Sequence, residues 1–196
     1  MTVLAIHEWK NNAELIADAH ALGYIHGAVL DPTYGEGNFW TQYRPSDFTA
    51  CDLNPKKSPI GHSVDFCNLP WGYRHFTTVV FDPPYKLNGT PDPELDERYG
   101  VHQTTRWQDR MALMIDGMIE CCRVSDKYVL VKCQDQVCSG EVRWQTDDMT
   151  TTAKACGFRK VDRLDFLSYR PQPNGRSQKH ARRNSSTLLV FERARA

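Results

Sequence analysis

The chain has 196 residues, of which 40% are hydrophobic and 24% are charged, as expected for one globular domain with a buried core. The formal net charge is zero, which argues against a wholly basic nucleic-acid coat protein. No apolar run could span a membrane, and no signal peptide or Cys-x-x-Cys pair is present, so we expect a cytoplasmic protein without a zinc site or disulfide framework.

Strands and helices are predicted to alternate along the first half of the chain. Asn11–Leu22 has apolar residues at helical spacing behind an asparagine in the N-cap position. A second helix is expected near Asn38–Tyr43. The predicted strands are Ala28–Leu30, Phe48–Cys51, a short one beginning at Val64, and the apolar run Thr77–Phe81.

The second half predicts two further helices and three strands. The helices are Trp107–Arg123, with methionines on one side, and Val142–Cys156, followed by Gly157 as a C-cap. The strands are Tyr128–Cys133, Val161–Leu167 and Thr187–Phe191. Because no helix is predicted between the last two strands, we expect them to pair in an antiparallel hairpin.

This order of elements predicts one α/β domain over residues 1–196, with helices on both faces of a mostly parallel sheet. Two long polar segments interrupt the pattern, at residues 86–106 and 170–186. Long loops in compact domains are often functional, so both are candidates for contacting a substrate. From Arg170 onward, seven basic residues stand against one acidic residue, Glu192.

The first candidate site follows the strand Ala28–Leu30. Asp31, Pro32 and Thr33 begin a turn in which Gly35 and Gly37 allow a ligand to approach the backbone closely. Neither the dinucleotide-binding motif Gly-x-Gly-x-x-Gly nor a phosphate-binding loop is present. The short turn therefore favours a ligand without a pyrophosphate.

Acidic residues follow the next two predicted strands. Asp52, about 20 residues beyond the first strand, is placed to accept hydrogen bonds from a ribose diol. Asp65 is placed to accept from an adenine amino group, and Phe66 to contact the adenine ring. Together with the glycine turn, these residues predict an adenosine-binding site.

The most specific motif is Asp82-Pro83-Pro84-Tyr85, which ends the apolar strand Thr77–Phe81. Ligands of α/β proteins bind at this carboxyl edge of the sheet. An exocyclic base amine is a poor nucleophile because its lone pair is delocalised. If Asp82 and the Pro83 carbonyl accepted hydrogen bonds from the amine, the lone pair would become available on the nitrogen. Tyr85 would stack on a base taken out of its helix.

These motifs resemble those of the amino-methyltransferase family that acts on DNA adenine N6 or cytosine N4. The segment from Asp31 to Gly37 matches the family's cofactor motif, and Asp82-Pro83-Pro84-Tyr85 matches its catalytic motif. The resemblance implies a Rossmann-like seven-stranded sheet with a reversed final hairpin and S-adenosyl-L-methionine as cofactor. It also places Asn11, with Trp9 and Lys10, near the methionine part of the cofactor.

The resemblance implies a nucleic-acid partner, DNA rather than RNA, but the chain lacks room for a separate target-recognition domain. A monomer or homodimer is expected, with a recognition subunit as a further possible partner. The substrate-contacting candidates are Tyr85 together with Lys86, Arg182, Arg183 and Asn184.

The sequence leaves open which base receives the methyl group. Asp as the first catalytic-motif residue favours adenine, because cytosine N4 enzymes more often carry Ser there. An RNA base amino-methyltransferase, acting on adenine N6 or guanine N2, is an alternative enzyme, and a non-catalytic cofactor-binding subunit is an alternative of another class. No metal is required for direct in-line transfer to a flipped base.

Lys132 and the isolated histidines complete the candidates. Lys132 ends the strand Tyr128–Cys133, and a lysine in that position most often extends its ammonium to solvent. His62, His75 and His102 lack ligand spacing and are interpreted as surface or core residues.

Overall fold

A computed structural model describes residues 9–87, 106–167, 179–181 and 183–195, and its strands form one main sheet and one small hairpin. The strands are β1 (Val29–Asp31), β2 (Phe48–Ala50), β3 (Phe76–Phe81), β4 (Ser125–Cys133), β5 (Gln136–Cys138), β6 (Glu141–Arg143), β7 (Phe158–Leu167) and β8 (Ser185–Arg193). The helices are α1 (Asn12–Ala21), α2 (Trp107–Val124) and α3 (Gln145–Ala155).

The main sheet has the strand order β2-β1-β3-β4-β8-β7. Its first four strands are parallel, and β8 runs antiparallel to both β4 and β7. The predicted mostly parallel sheet with a reversed final pair is therefore confirmed. Because β8 is reversed, the residues before Ser185 lie at the same edge as the carboxyl ends of the parallel strands.

Helices cover both faces of the sheet, as predicted. Leu15 and Ile16 of α1 pack with Val80 and Leu130 on one face. On the opposite face, the buried side of α2 packs against Phe81, Val129 and Phe191. Strand residues are apolar on both faces because neither face is left to solvent.

The main sheet has six strands in the described part of the chain, and the expectation of seven is wrong there. The strand predicted at Val64 is reduced to an isolated bridge between Asp52 and Ser63. Pro55 and Pro59 lie in the intervening segment and lack backbone N–H donors. This segment consequently forms turns instead of extending the ladder.

The helix predicted at Val142–Cys156 begins later, at Gln145. Its first predicted residues belong to β6, which pairs antiparallel with β5. Ser139 and Gly140 have φ angles of 54° and 79° at the turn between them, as in the two-residue turns that favour tight hairpins. The segment Asn38–Tyr43 holds only a three-residue 3-10 helix, Asn38–Trp40.

Most of the two predicted substrate loops, at residues 86–106 and 170–186, lies outside the described residues, namely 88–105, 170–178 and 182. Within the described ranges, no helix is long and apolar enough to cross a bilayer.

Candidate active site

The two sequence motifs meet in a cavity of about 170 Å³ at the carboxyl edge of the sheet. They meet because β1 and β3 are parallel neighbours, so the residues after each strand emerge side by side. The predicted site residues that line the cavity are Asp31, Pro32, Thr33, Gly35, Asp52, Phe66, Asp82 and Pro84. Asn12, Tyr34, Glu36, Asn38, Phe39, Leu53 and Lys57 line it without having been predicted.

Asp31 organises the turn after β1. One of its carboxylate oxygens accepts from the Thr33 backbone N–H at 2.8 Å, and the other accepts from the Trp40 indole at 2.6 Å. Burial raises the pKa of Asp31 to about 7, and the nearby Asp82 charge adds to the rise. Because Asp31 is buried and both of its oxygens have donors within the protein, it shapes the cavity wall more than it offers free acceptors.

Asp52 anchors the same turn from β2. Its Oδ2 accepts from the Gly35 backbone N–H at 2.8 Å, and its Oδ1 accepts from the Asn54 backbone N–H at 2.8 Å. The side chain is only partly buried and lines the cavity. Each carboxylate oxygen can accept more than one hydrogen bond, so Asp52 retains acceptor capacity for a ligand hydroxyl pair.

Thr33 joins the two motifs directly. Its hydroxyl donates to Asp31 Oδ1 at 3.2 Å and accepts from the Asp82 backbone N–H at 2.9 Å. A single hydroxyl group therefore sets the spacing between the turn after β1 and the turn after β3.

Asp82 differs from Asp31 and Asp52 because one of its carboxylate oxygens lacks a hydrogen-bond donor in the described part of the chain. Its Oδ1 is buried and has no hydrogen-bond partner among the described residues. Burial raises the pKa of Asp82 to about 6, and the positive charge of Lys132 opposes that rise. A buried carboxylate oxygen without a donor is costly, and Asp82 is among the residues that line the cavity.

Lys132 does not extend to solvent, and the expectation that it would is wrong. The residue is completely buried, and its Nζ donates to Asn12 Oδ1. The ammonium also lies 4.8 Å from the centre of the Phe166 ring and 5.9 Å from that of Phe39. Burial lowers the pKa of Lys132 to about 8, against the attraction of Asp82. The helix α1 covers the strand end, which the local sequence pattern does not reveal.

Two glutamine side chains hold the turn after β3, and neither is predicted from the sequence. The Tyr85 carbonyl accepts from Gln136 Nε2 at 2.5 Å and from Gln145 Nε2 at 2.6 Å. Gln136 Oε1 also accepts from the Leu87 backbone N–H at 3.0 Å. The Pro83 carbonyl accepts from the Tyr85 N–H at 2.7 Å, and neither Pro83 nor Tyr85 is among the residues that line the cavity.

Three predicted cofactor contacts, Asn11, Asp65 and Gly37, do not line the cavity. Asn11 caps α1, because its Oδ1 accepts from the Glu14 backbone N–H, and the following residue, Asn12, lines the cavity instead. Asp65 is exposed, and its Oδ1 accepts from the Cys67 backbone N–H at 2.8 Å. Its neighbour Phe66 does reach the cavity wall.

The remaining predicted site residues are Gly37 and the candidates for contacting the substrate. Gly37 does not line the cavity but adopts a φ of 70° at the end of the turn, which favours glycine. Lys86 is exposed beside the catalytic motif, and Arg183 and Asn184 lie just before β8 at the carboxyl edge. Arg182 lies outside the described residues.

Histidines and metal ligands contribute no further site in the described ranges. His62 Nδ1 donates to the Ile60 carbonyl oxygen at 3.2 Å, and His75 packs its ring edge-on against Phe76. His102 lies outside the described residues. Among the described side chains, no three His, Cys, Asp or Glu residues are grouped so that they could hold a metal ion.

No protein-family model matches the chain, and a comparison with curated protein sequences finds no match. Solved structures do match. A candidate methyltransferase from Bacillus halodurans C-125 is 13% identical, with a TM-score of 0.58 over 90% of this chain and 97% of that one. The chain has the methyltransferase fold.

Two further structures with the methyltransferase fold are similar to nearly the whole chain. Magnesium protoporphyrin IX methyltransferase from Synechocystis PCC 6803, with bound S-adenosylhomocysteine (SAH), is 10% identical, with a TM-score of 0.58 over 93% of this chain and 81% of that one. A candidate RNA methyltransferase from Pyrococcus horikoshii is 14% identical, with a TM-score of 0.58 over 93% and 82%. The methyltransferase fold thus extends across the described elements.

Proposed function

We propose that this protein transfers the methyl group of S-adenosylmethionine to an exocyclic amino group of a nucleic-acid base, adenine N6 in DNA. The observation that carries this proposal is the buried Asp82 Oδ1, which has no donor among the described residues. An amino group is a donor that would complete this atom's hydrogen bonding and be activated by doing so. The fold and the cavity support the cofactor half of the proposal.

The cavity suits the adenosine part of S-adenosylmethionine. Asp52 offers a partly exposed carboxylate to the ribose hydroxyls, and Phe66 offers an apolar face. Asp65, one residue before Phe66, remains the proposed acceptor for the adenine amino group, and Asn12 replaces Asn11 as the α1 residue beside the cofactor. When bound, S-adenosylmethionine supplies an electrophilic methyl group on a sulfonium.

The proposed activation of the acceptor amine depends on the turn after β3. In this proposal, Asp82 and the Pro83 carbonyl accept hydrogen bonds from the two N–H groups of the amine. These hydrogen bonds localise the lone pair on the nitrogen. Tyr85 supplies a stacking surface, and the amide groups of Gln136 and Gln145 hold its backbone in place. After transfer, the nitrogen becomes acidic and loses a proton to Asp82 or to water. Positioning of the two reactants provides much of the acceleration.

The deciding experiment measures transfer of a labelled methyl group from S-adenosylmethionine to matched DNA and RNA oligonucleotides, followed by nucleoside analysis. We expect N6-methyladenine in the DNA. Asp82→Ala should abolish transfer and leave SAH affinity within a few-fold, since Asp82 faces the acceptor. Equal activity of Asp82→Ala would refute the proposed chemistry.

The alternatives give different products in the same assay. An RNA base amino-methyltransferase would label the RNA pool in N6-methyladenine or N2-methylguanine. A non-catalytic subunit would bind SAH but label neither pool, and it would need a partner chain for activity. The intact Asp82-Pro83-Pro84-Tyr85 turn argues for catalysis by this chain itself.

A further inference from the structure

One arginine–tryptophan stack joins the residue after β6 to the chain before β8, and another joins β6 to the start of α2. The Arg183 guanidinium lies 4.3 Å from the centre of the Trp144 ring. The Arg143 guanidinium lies 3.9 Å from the centre of the Trp107 ring. Trp144 is 44% exposed, which is unusual for the largest apolar side chain. A partly exposed indole beside a guanidinium offers a face on which a nucleobase can stack.

Hydrogen bonds connect the Trp144–Arg183 stack to the catalytic-motif turn. Gln145, the residue after Trp144, donates from Nε2 to the Tyr85 carbonyl at 2.6 Å. Gln134 donates from Nε2 to the Arg183 carbonyl at 3.1 Å, and its backbone N–H donates to Gln145 Oε1 at 3.0 Å. The stack is therefore held beside Tyr85 by side chains that also fix the turn after β3.

The charges around the stack favour an anionic, planar ligand. Arg183 forms no ion pair with a carboxylate within the described part of the chain, whereas Arg143 is paired with Glu141 at 2.8 Å. Lys86, the residue after Tyr85, is exposed, and its carbonyl accepts from Arg110. A guanidinium over an indole ring presents a flat cationic surface, which suits a nucleobase and its phosphate.

We propose that Trp144 and Arg183 form a binding site for the nucleotide adjacent to the methylated base, with Trp144 stacking on the base and Arg183 contacting the phosphodiester. This inference rests on the proposed function, because it takes the substrate to be a polymer and not a free base. The stack would hold the flanking strand while the target base occupies the space beside Tyr85.

The test compares Trp144→Ala and Arg183→Ala with wild type in binding fluorescent single-stranded DNA, duplex DNA and RNA oligonucleotides. The matched control is Tyr73→Ala, because Tyr73 is 63% exposed and is stacked by Arg74 at 5.1 Å. Tyr73 precedes β3 and so lies at the opposite edge of the sheet. We expect the dissociation constant to rise about tenfold for each stack variant and to stay unchanged for Tyr73→Ala.

Steady-state kinetics supply the second readout. The stack variants should raise KM for the oligonucleotide while kcat, SAH affinity and the thermal midpoint stay at wild-type values, and Trp144→Phe should restore most of the binding. Unchanged dissociation constants in the stack variants, equal weakening by Tyr73→Ala, or no binding of any oligonucleotide by wild type would overturn the inference. If wild type binds through the stack but transfers no methyl group, the binding site stands and the proposed function fails.

Discussion

Lys132 and Asp82 directly follow the paired residues Val131 and Phe81 on neighbouring parallel strands, so the two charged residues emerge together at one edge of the sheet. Lys132 is completely buried there, and its charge opposes the rise in the pKa of Asp82 that burial causes. The ammonium lies among Asn12, Phe39 and Phe166, of which Asn12 and Phe39 also line the cavity. The positive charge of Lys132 therefore favours the ionised form of Asp82.

The first prediction concerns the pH dependence of activity. Asp82 must be ionised to accept an amino proton, so kcat/KM should rise as the pH increases through about 6, the pKa of this residue. Lys132→Met removes the charge that favours the carboxylate, while burial still disfavours it. The acidic limb of the profile should then move to higher pH by about one unit.

The measurement is the pH profile of methyl transfer for wild type and Lys132→Met, together with their thermal midpoints. A lower kcat with an unmoved acidic limb would mean that Lys132 contributes only to folding. Asn12→Ala serves as a comparison, because it removes the Lys132 hydrogen-bond partner without removing the charge.

The second prediction concerns the hydroxyl group between the two motifs. Thr33→Val keeps the side-chain shape but removes the acceptor for the Asp82 N–H and the donor to Asp31. We expect a loss of about 1–3 kcal/mol in the free energy of unfolding, since a partly buried N–H is left without a partner. Thr33→Ser should retain most of the stability in chemical denaturation and most of the activity. Wild-type behaviour of Thr33→Val would contradict the link between the turns.

The third prediction concerns cofactor affinity. Asp52→Ala removes a cavity carboxylate and the acceptor for the Gly35 N–H. Calorimetric titration with SAH should show at least about tenfold weaker binding, because hydrogen bonds to a charged group contribute about 1.5–3 kcal/mol. Asp47→Ala is the matched control, since Asp47 is exposed just before the same strand, at its other end. Similar affinity in both variants would remove Asp52 from the cofactor site.

The fourth prediction concerns close packing behind the cavity. A Cβ atom at Gly117 of α2 would lie 2.6 Å from Phe66 and 2.7 Å from Phe81. Gly117→Ala should therefore destabilise the fold by about 1–3 kcal/mol despite alanine's better helix propensity. Because Phe66 lines the cavity and Phe81 precedes Asp82, SAH affinity should fall as well. Gly72→Ala, where a Cβ meets no atom within 4 Å, should have little effect on thermal unfolding.

Local patterns in the sequence were sufficient to predict the turn after β1 and the turn after β3. Both consist of an apolar strand followed by an acid, and the parallel pairing of strands brings such ends to one edge. The prediction failed where the pattern was short or ambiguous. The β5–β6 hairpin has three-residue strands, and only the Ser139-Gly140 pair marks its turn.

Relationships between residues distant in the chain were decided by the tertiary structure alone. Lys132 is buried because α1, 120 positions earlier, provides Asn12. Trp144 and Arg183 stack because β8 returns antiparallel beside β4 and brings Arg183 to the edge where the parallel strands end. The sequence by itself thus determined which residues end the strands, because strand periodicity is local. Which side chains share a low-dielectric environment or a surface depends on packing between elements, and that depends on the whole fold.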